Sequence, residues 1–121
     1  MVMLDDFRRV AEIEFGDLIA DNQPLGEKFR PYLGDGTYID LWLSRRLHER
    51  FGFHWERRHL DGTFYRYDNF PNTAWRDIAS YPYHFHDGLQ DAVTATPFAT
   101  DPLAGFREFM GFVAAKVRDD R

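Results

Sequence analysis

The sequence predicts an α+β fold, an antiparallel sheet of about five to six strands flanked by an N-terminal and a C-terminal helix. Three observations predict it. Apolar residues recur at helical spacing near the two ends of the chain, the centre alternates apolar and polar residues with period two, and Gly-Asp and Asp-Gly turn signals separate the alternating runs.

At the N-terminal end Leu4, Phe7, Ala11, Phe15 and Leu18 share one helical face, which predicts a helix over residues 4–14. Asp21, Asn22, Gln23 and Pro24 break the pattern. A hairpin is expected next, residues 27–33 and 37–44 around Gly34-Asp35-Gly36. In its second strand Ile39, Leu41 and Leu43 face the core, and Tyr38, Asp40 and Trp42 face away. Asp61-Gly62 between two aromatic-rich runs, 51–60 and 63–69, predicts a two-residue type I′ turn. That turn would pair Trp55 with Asp68, Glu56 with Tyr67 and His54 with Asn69. One face would then carry Phe51, Phe53, Trp55, Arg57, Phe64, Arg66 and Asp68, and the other His54, Glu56, Arg58, Tyr65, Tyr67 and Asn69. Residues 70–79 lack periodicity and read as a loop, 81–86 as a strand ended by Asp87-Gly88, and 92–96 as a further short strand. Thr100 or Asp101 caps a final helix that has Pro102 at its first position and a buried stripe through Leu103, Phe106, Phe109, Met110, Val113 and Val117.

A chain of 121 residues with 44% hydrophobic and 17% aromatic content can bury a core as a single domain over residues 1–121. The absence of cysteine excludes disulfides and thiolate chemistry. No apolar run is long enough for a membrane span and the early Asp5 and Asp6 do not resemble a signal peptide, so a cytoplasmic protein is expected. The net charge of −5 is uneven: residues 45–66 hold 3 acids against 6 Arg, whereas residues 1–44 hold 9 acids and 4 bases and residues 67–121 hold 8 acids and 5 bases. The middle segment could focus an anionic ligand, or it could be a solvated arginine face.

In Tyr83-His84-Phe85-His86-Asp87, period two puts His84 and His86 on one side of a strand. Two adjacent imidazoles can serve as the base that takes a proton from a ribose hydroxyl and the acid that protonates a leaving oxygen, with no metal or other cofactor. They can also ligate a transition ion if Asp87, His54, Asp68 or His59 supplies a third ligand, or they can simply pack beside aromatics. Arg66 would stabilise charge on a phosphorus and Tyr67 would bond a phosphate or donate a proton. Structurally, Asp68 could instead pair with Arg66 or Arg57, and Asn69 could start the turn at Phe70-Pro71. Trp55, Tyr65 and Tyr67 interleaved with Arg57, Arg58 and Arg66 also suit single-stranded nucleic acid. Phosphate loops, nucleophile elbows and the zinc-protease motif are absent.

Arg66-Tyr67-Asp68-Asn69, followed by Pro82-Tyr83-His84-Phe85-His86 and a C-terminal helix, resembles the TumE-like toxins of bacterial and archaeal toxin-antitoxin systems over roughly residues 25–117. The chain has Phe70-Pro71-Asn72 where those proteins often run alanine-proline-histidine, so no loop histidine is carried over. The resemblance implies a small toxin acting on RNA or translation and neutralised by a cognate helix-turn-helix antitoxin; a homodimer is compatible with it. The leading expectation is metal-independent, ribonuclease-like cleavage. In it His84, His86, Tyr67 and Arg66 are catalytic, and Arg57, Arg58, Trp55, Asp68 and Asn69 hold the substrate. The alternative is a non-enzymatic module that binds RNA or protein through the aromatic and arginine surface.

Overall fold

The computed structural model describes residues 1–47 and 49–120. Helix α1 (Leu4–Glu14) leads into strands β1 (Ile19–Leu25), β2 (Lys28–Leu33), β3 (Tyr38–Leu43) and β4 (Phe51–Arg57). A four-residue helical turn, α2 (Arg58–Asp61), connects β4 to β5 (Thr63–Asp68), and β6 (His84–Gly88), β7 (Val93–Ala95) and the long α3 (Pro102–Asp119) follow. The described residues form one antiparallel sheet of 7 strands in the order β1 to β7, so each strand pairs with its neighbours in sequence. This confirms the expected α+β class with a slightly larger sheet.

The extra strand is β1, where Asp21 to Pro24 reads as a break. It is an edge strand with mostly exposed side chains, so it has no buried face to impose alternation. An edge also tolerates proline, whose missing N–H need not serve a second neighbour. The N-terminal helix has the expected bounds, and Asp101 caps α3 by accepting a hydrogen bond from the Ala104 N–H.

Both helices lie on the same face of the sheet. Phe7 of α1 and Phe106 of α3 meet each other at 5.3 Å, and each meets Phe53 of β4, at 5.3 and 5.1 Å. Ile39, Leu41, Phe51, Phe53, Trp55 and Tyr67 complete that face and are fully buried. At about 25 cal/mol per Å² of apolar surface removed from water, such aromatic packing is the main force holding the sheet to its helices.

The predicted hairpin at Asp61-Gly62 is corrected. Strand β4 stops at Arg57, and α2 replaces the two-residue turn. Asp61 explains why: its Oδ1 accepts from the Thr63 N–H and hydroxyl, its Oδ2 accepts from Arg57, and Gly62 supplies the left-handed residue (φ 79°) that ends the helical turn. Partners therefore slide by three residues, so that Trp55 faces Tyr65, Phe53 faces Tyr67 and His54 faces Arg66. An odd slide exchanges the two faces of β5 relative to β4. Tyr65 and Tyr67 turn into the core, and Arg66 and Asp68 join His54 and Glu56 on the far side.

Close approach of α3 to this core requires Gly105. A Cβ there would overlap the Ala99 carbonyl oxygen and stand 3.1 Å from the Tyr67 ring, and that same carbonyl accepts the Tyr67 hydroxyl at 2.8 Å. Gly105→Ala is expected to destabilise the fold by about 1–3 kcal/mol through overpacking, despite alanine's better helix propensity. Chemical denaturation checks this, and an unchanged or raised midpoint would contradict the tight contact.

Candidate functional site

The face of the sheet that carries neither α1 nor α3 is polar, and its register lines side chains up in two rows across the strands. In one row Asp40, His54, Arg66 and His86 stand directly opposite one another on β3, β4, β5 and β6. In the next, Lys28, Trp42, Gly52, Asp68 and His84 do the same from β2 to β6. Gly52 leaves the floor of the second row without a side chain, and a concave groove of about 430 Å³ opens there. Lys28 and Arg58 edge the groove, Trp42 stacks on Phe70 at 5.1 Å, and His54, Arg66 and Asp68 lie along its length.

Charge is largely paired within the groove. Asp40 accepts two hydrogen bonds from Arg30, at 2.6 and 2.9 Å, and Glu56 holds Arg58 at 2.6 Å. Arg66 is different. Its Nε–H donates to His54 Nδ1 at 3.1 Å, which leaves the His54 Nε2–H to donate to Glu56 at 3.1 Å. Burial also holds His54 below its ordinary pKa and so favours the neutral ring. Arg66 thus spends a bond on a neutral imidazole and has no carboxylate ion pair among the described residues, so its charge remains available in the groove.

Asp68, which lines the groove, comes together with His84 and His86 on the neighbouring strand. One ligand atom of each lies within 4.8 Å of the others, and the His84 Nε2 to Asp68 Oδ1 distance is 3.2 Å. Each ring is fixed by the backbone, His84 Nδ1 lying 2.9 Å from the Pro82 carbonyl and His86 Nδ1 3.0 Å from that of Gln90. A carbonyl can only accept, so both Nδ1 atoms carry hydrogen and both Nε2 atoms are left for other chemistry. Trp75, on a helical turn of the loop between β5 and β6, sets its ring 6.4 Å from His84 and 6.0 Å from His86. Each histidine is only 2% exposed, and burial lowers the pKa of His86.

The structure therefore unites four of the predicted residues, Arg66, Asp68, His84 and His86, and places the others elsewhere. Tyr67 is on the core face, far from the histidine side of the sheet, with its hydroxyl on Ala99 and its pKa raised by burial. Trp55 is also core, donating from Nε1 to Thr37 at 2.9 Å. Arg57 is buried, stacked 4.5 Å over Trp55 and bonded to Asp61 and Asp120, which ties the end of α3 to β4. Asn69 is a structural clamp: its Oδ1 accepts from the Phe51 N–H and its Nδ2 donates to the Glu49 carbonyl. The turn at Phe70 is held by Asp68 Oδ1, not by Asn69. Arg58 remains exposed at the groove. Of the four proposed third partners for the histidines, Asp68 is delivered, His54 sits two strands away from them beside Arg66, and Asp87 and His59 are exposed outside the cluster. Lys28, Trp42, Glu56, Phe70 and Trp75 were not expected. The alternation that sends Tyr38, Asp40 and Trp42 away from the core was the signal that could have found part of this group.

Glu56 anchors the polar face, and Arg58 together with backbone and His54 bonds holds its pKa down to about 2 from an ordinary 4.5. A depressed carboxyl contributes stability that is complete above pH 4.5 and lost as pH falls towards 2. Screening through the exposed Arg58 reduces that contribution to roughly 1 kcal/mol. Glu56→Gln should lower the thermal midpoint at neutral pH, where the contribution is complete, and leave it nearly unchanged at pH 2, so that the fall between pH 4.5 and 2 is flattened; identical pH curves would refute the assignment.

No curated protein and no solved structure matches this chain. No helix of the described residues is long and apolar enough to cross a membrane. The features that carried the sequence resemblance, an Arg66 to Asn69 strand paired to a His84-x-His86 strand beneath a C-terminal helix, are now in place, and residues 2–117 match the family described as Toxin TumE, so the chain belongs to the TumE toxin family.

Proposed function

We propose that this toxin acts on RNA, by phosphodiester cleavage at the cluster of Asp68, His84 and His86, with Arg66 on the phosphate. The observation that carries the reading is the pairing of rows: Arg66, a groove cation with no carboxylate ion pair among the described residues, stands directly opposite His86 and one residue pair from the Asp68–His84 couple. Trp42 and Phe70 offer stacking surface for bases, and Lys28, Arg58 and Arg66 offer cations for the backbone between them. That combination suits a single strand, whose bases are free to stack.

Arg66 stabilises the charge that grows on phosphorus. Both rings hold Nδ1 on a backbone carbonyl and keep Nε2 for chemistry, that of His84 lying 3.2 Å from Asp68 Oδ1. Family membership implies an antitoxin partner. We read that partner as a helix-turn-helix protein encoded beside the toxin, masking the groove or its rim. The burial of both histidines favours one second reading, a module that grips RNA without cutting it.

Labelled single-stranded RNA should bind with an affinity that falls as salt rises, and Arg66→Gln should flatten the slope by about one unit because one phosphate contact is lost. His86→Ala should retain that binding and lose cleavage. Salt-dependent binding of RNA that stays intact with the wild-type protein would leave the binding module, and binding that ignores salt would remove RNA as the target.

A further inference from the structure

We propose that Asp68, His84 and His86 form a three-ligand site for one divalent first-row transition ion, zinc by preference. Sequence reasoning placed metal-free chemistry first. The geometry of the cluster reverses that order.

Three ligand atoms from two adjacent strands converge within 4.8 Å of one another. The His84 Nε2 to Asp68 Oδ1 separation of 3.2 Å is close to the spacing of two ligands across a tetrahedral ion with bonds of about 2.0–2.1 Å. Both Nδ1 atoms are already committed to backbone carbonyls, those of Pro82 and Gln90. Metal-bound histidines are held in this way, because the outer hydrogen bond fixes the tautomer that presents Nε2 and makes it a better donor. The carboxylate is held as well, since Asp68 Oδ1 accepts the Phe70 N–H at 2.9 Å.

Without a cation, the cluster is poorly matched. A lone pair on His84 Nε2 and a carboxylate oxygen at 3.2 Å are both acceptors, in a site where all three residues are buried. A divalent ion engages all three groups and offsets the buried negative charge.

Two imidazoles with one carboxylate select an ion of intermediate softness, which excludes magnesium and calcium as the preferred occupants. Three protein ligands also leave at least one position for water or a phosphoryl oxygen. Arg66 is in register with His86 on the same face, so an oxygen bound there would lie beside a guanidinium. The function assigned to the bound ion, polarising a phosphate, rests on the RNA reading above; the site itself does not.

The test uses the full-length protein, desalted and analysed for metals, then titrated with zinc, manganese or cobalt(II) chloride. One ion per chain is expected, with visible cobalt d–d bands. Asp68→Asn, which keeps the shape and an oxygen for the Phe70 N–H, and His86→Ala should each weaken binding at least about tenfold, while His59→Ala should bind like wild type. Should a variant fail to fold, the wild-type thermal midpoint decides, since it must rise with ion concentration by mass action. No ion bound by folded wild-type protein at millimolar concentration, or equal binding by Asp68→Asn and His86→Ala, overturns the site. RNA cut in excess chelator by metal-free protein would overturn it while the RNA reading stands; an ion bound at this site with RNA left intact supports the site and removes the cleavage.

Discussion

The register between β4 and β5 is the constraint on which the rest depends. Side chains alternate across a strand, so a pairing is either right for both faces or wrong for both. Asp61 sets it by accepting from Thr63 and Arg57 at once, which closes β4 with a helical turn in place of a tight hairpin. Every later placement follows. Tyr65 and Tyr67 enter the aromatic core, Arg66 and Asp68 leave it, and β6, paired to β5, brings His84 and His86 up beside them. Arg57 couples this turn to the fold at large by reaching Asp120 at the end of α3.

Placing both helices on one face divides the sheet's labour. The helix side is nearly saturated with rings, and Phe53 alone meets Phe7, Phe106, Tyr67 and Phe109. The opposite side has no helix to fill and carries polar residues that would be costly beneath one. An acidic protein can still present a cation there, because Asp40 and Glu56 neutralise Arg30 and Arg58 while Arg66 bonds a neutral imidazole and has no carboxylate ion pair among the described residues. Net charge is therefore a poor guide to the field within the groove, which depends on which charges are paired.

The loop between β5 and β6 links the cluster to the rest of the molecule. Its start is held by Asp68 at Phe70, its middle sets Trp75 against both histidines, and its end is tied by Ser80, whose hydroxyl donates to the Tyr83 carbonyl and accepts from the Thr96 N–H. The residues that would do chemistry are thus buried beneath a segment with little regular structure. Segments of this kind open at lower free energy than strands.

The sequence by itself determined the α+β class, both long helices, the hairpin of β2 and β3, and the adjacency of His84 and His86, because these follow from spacing of 3.6 or 2 residues within one element. It also carried the family, through short strand motifs that do not depend on neighbours. It could not show β1, whose exposed edge position leaves no pattern, nor the slide between β4 and β5, since Asp61-Gly62 is compatible with either turn and only the bonds from Thr63 and Arg57 choose between them. Tyr67, Trp55 and Asn69 look like ligand residues in a linear reading, yet they are a core ring, a core ring and a backbone clamp. Asp68 looked like one carboxylate among several, and it became the histidines' partner because strand pairing places it opposite His84. Tertiary structure alone decided the site, for the physical reason that periodicity tells which residues share a face of one strand, while register tells which face of the next strand they meet.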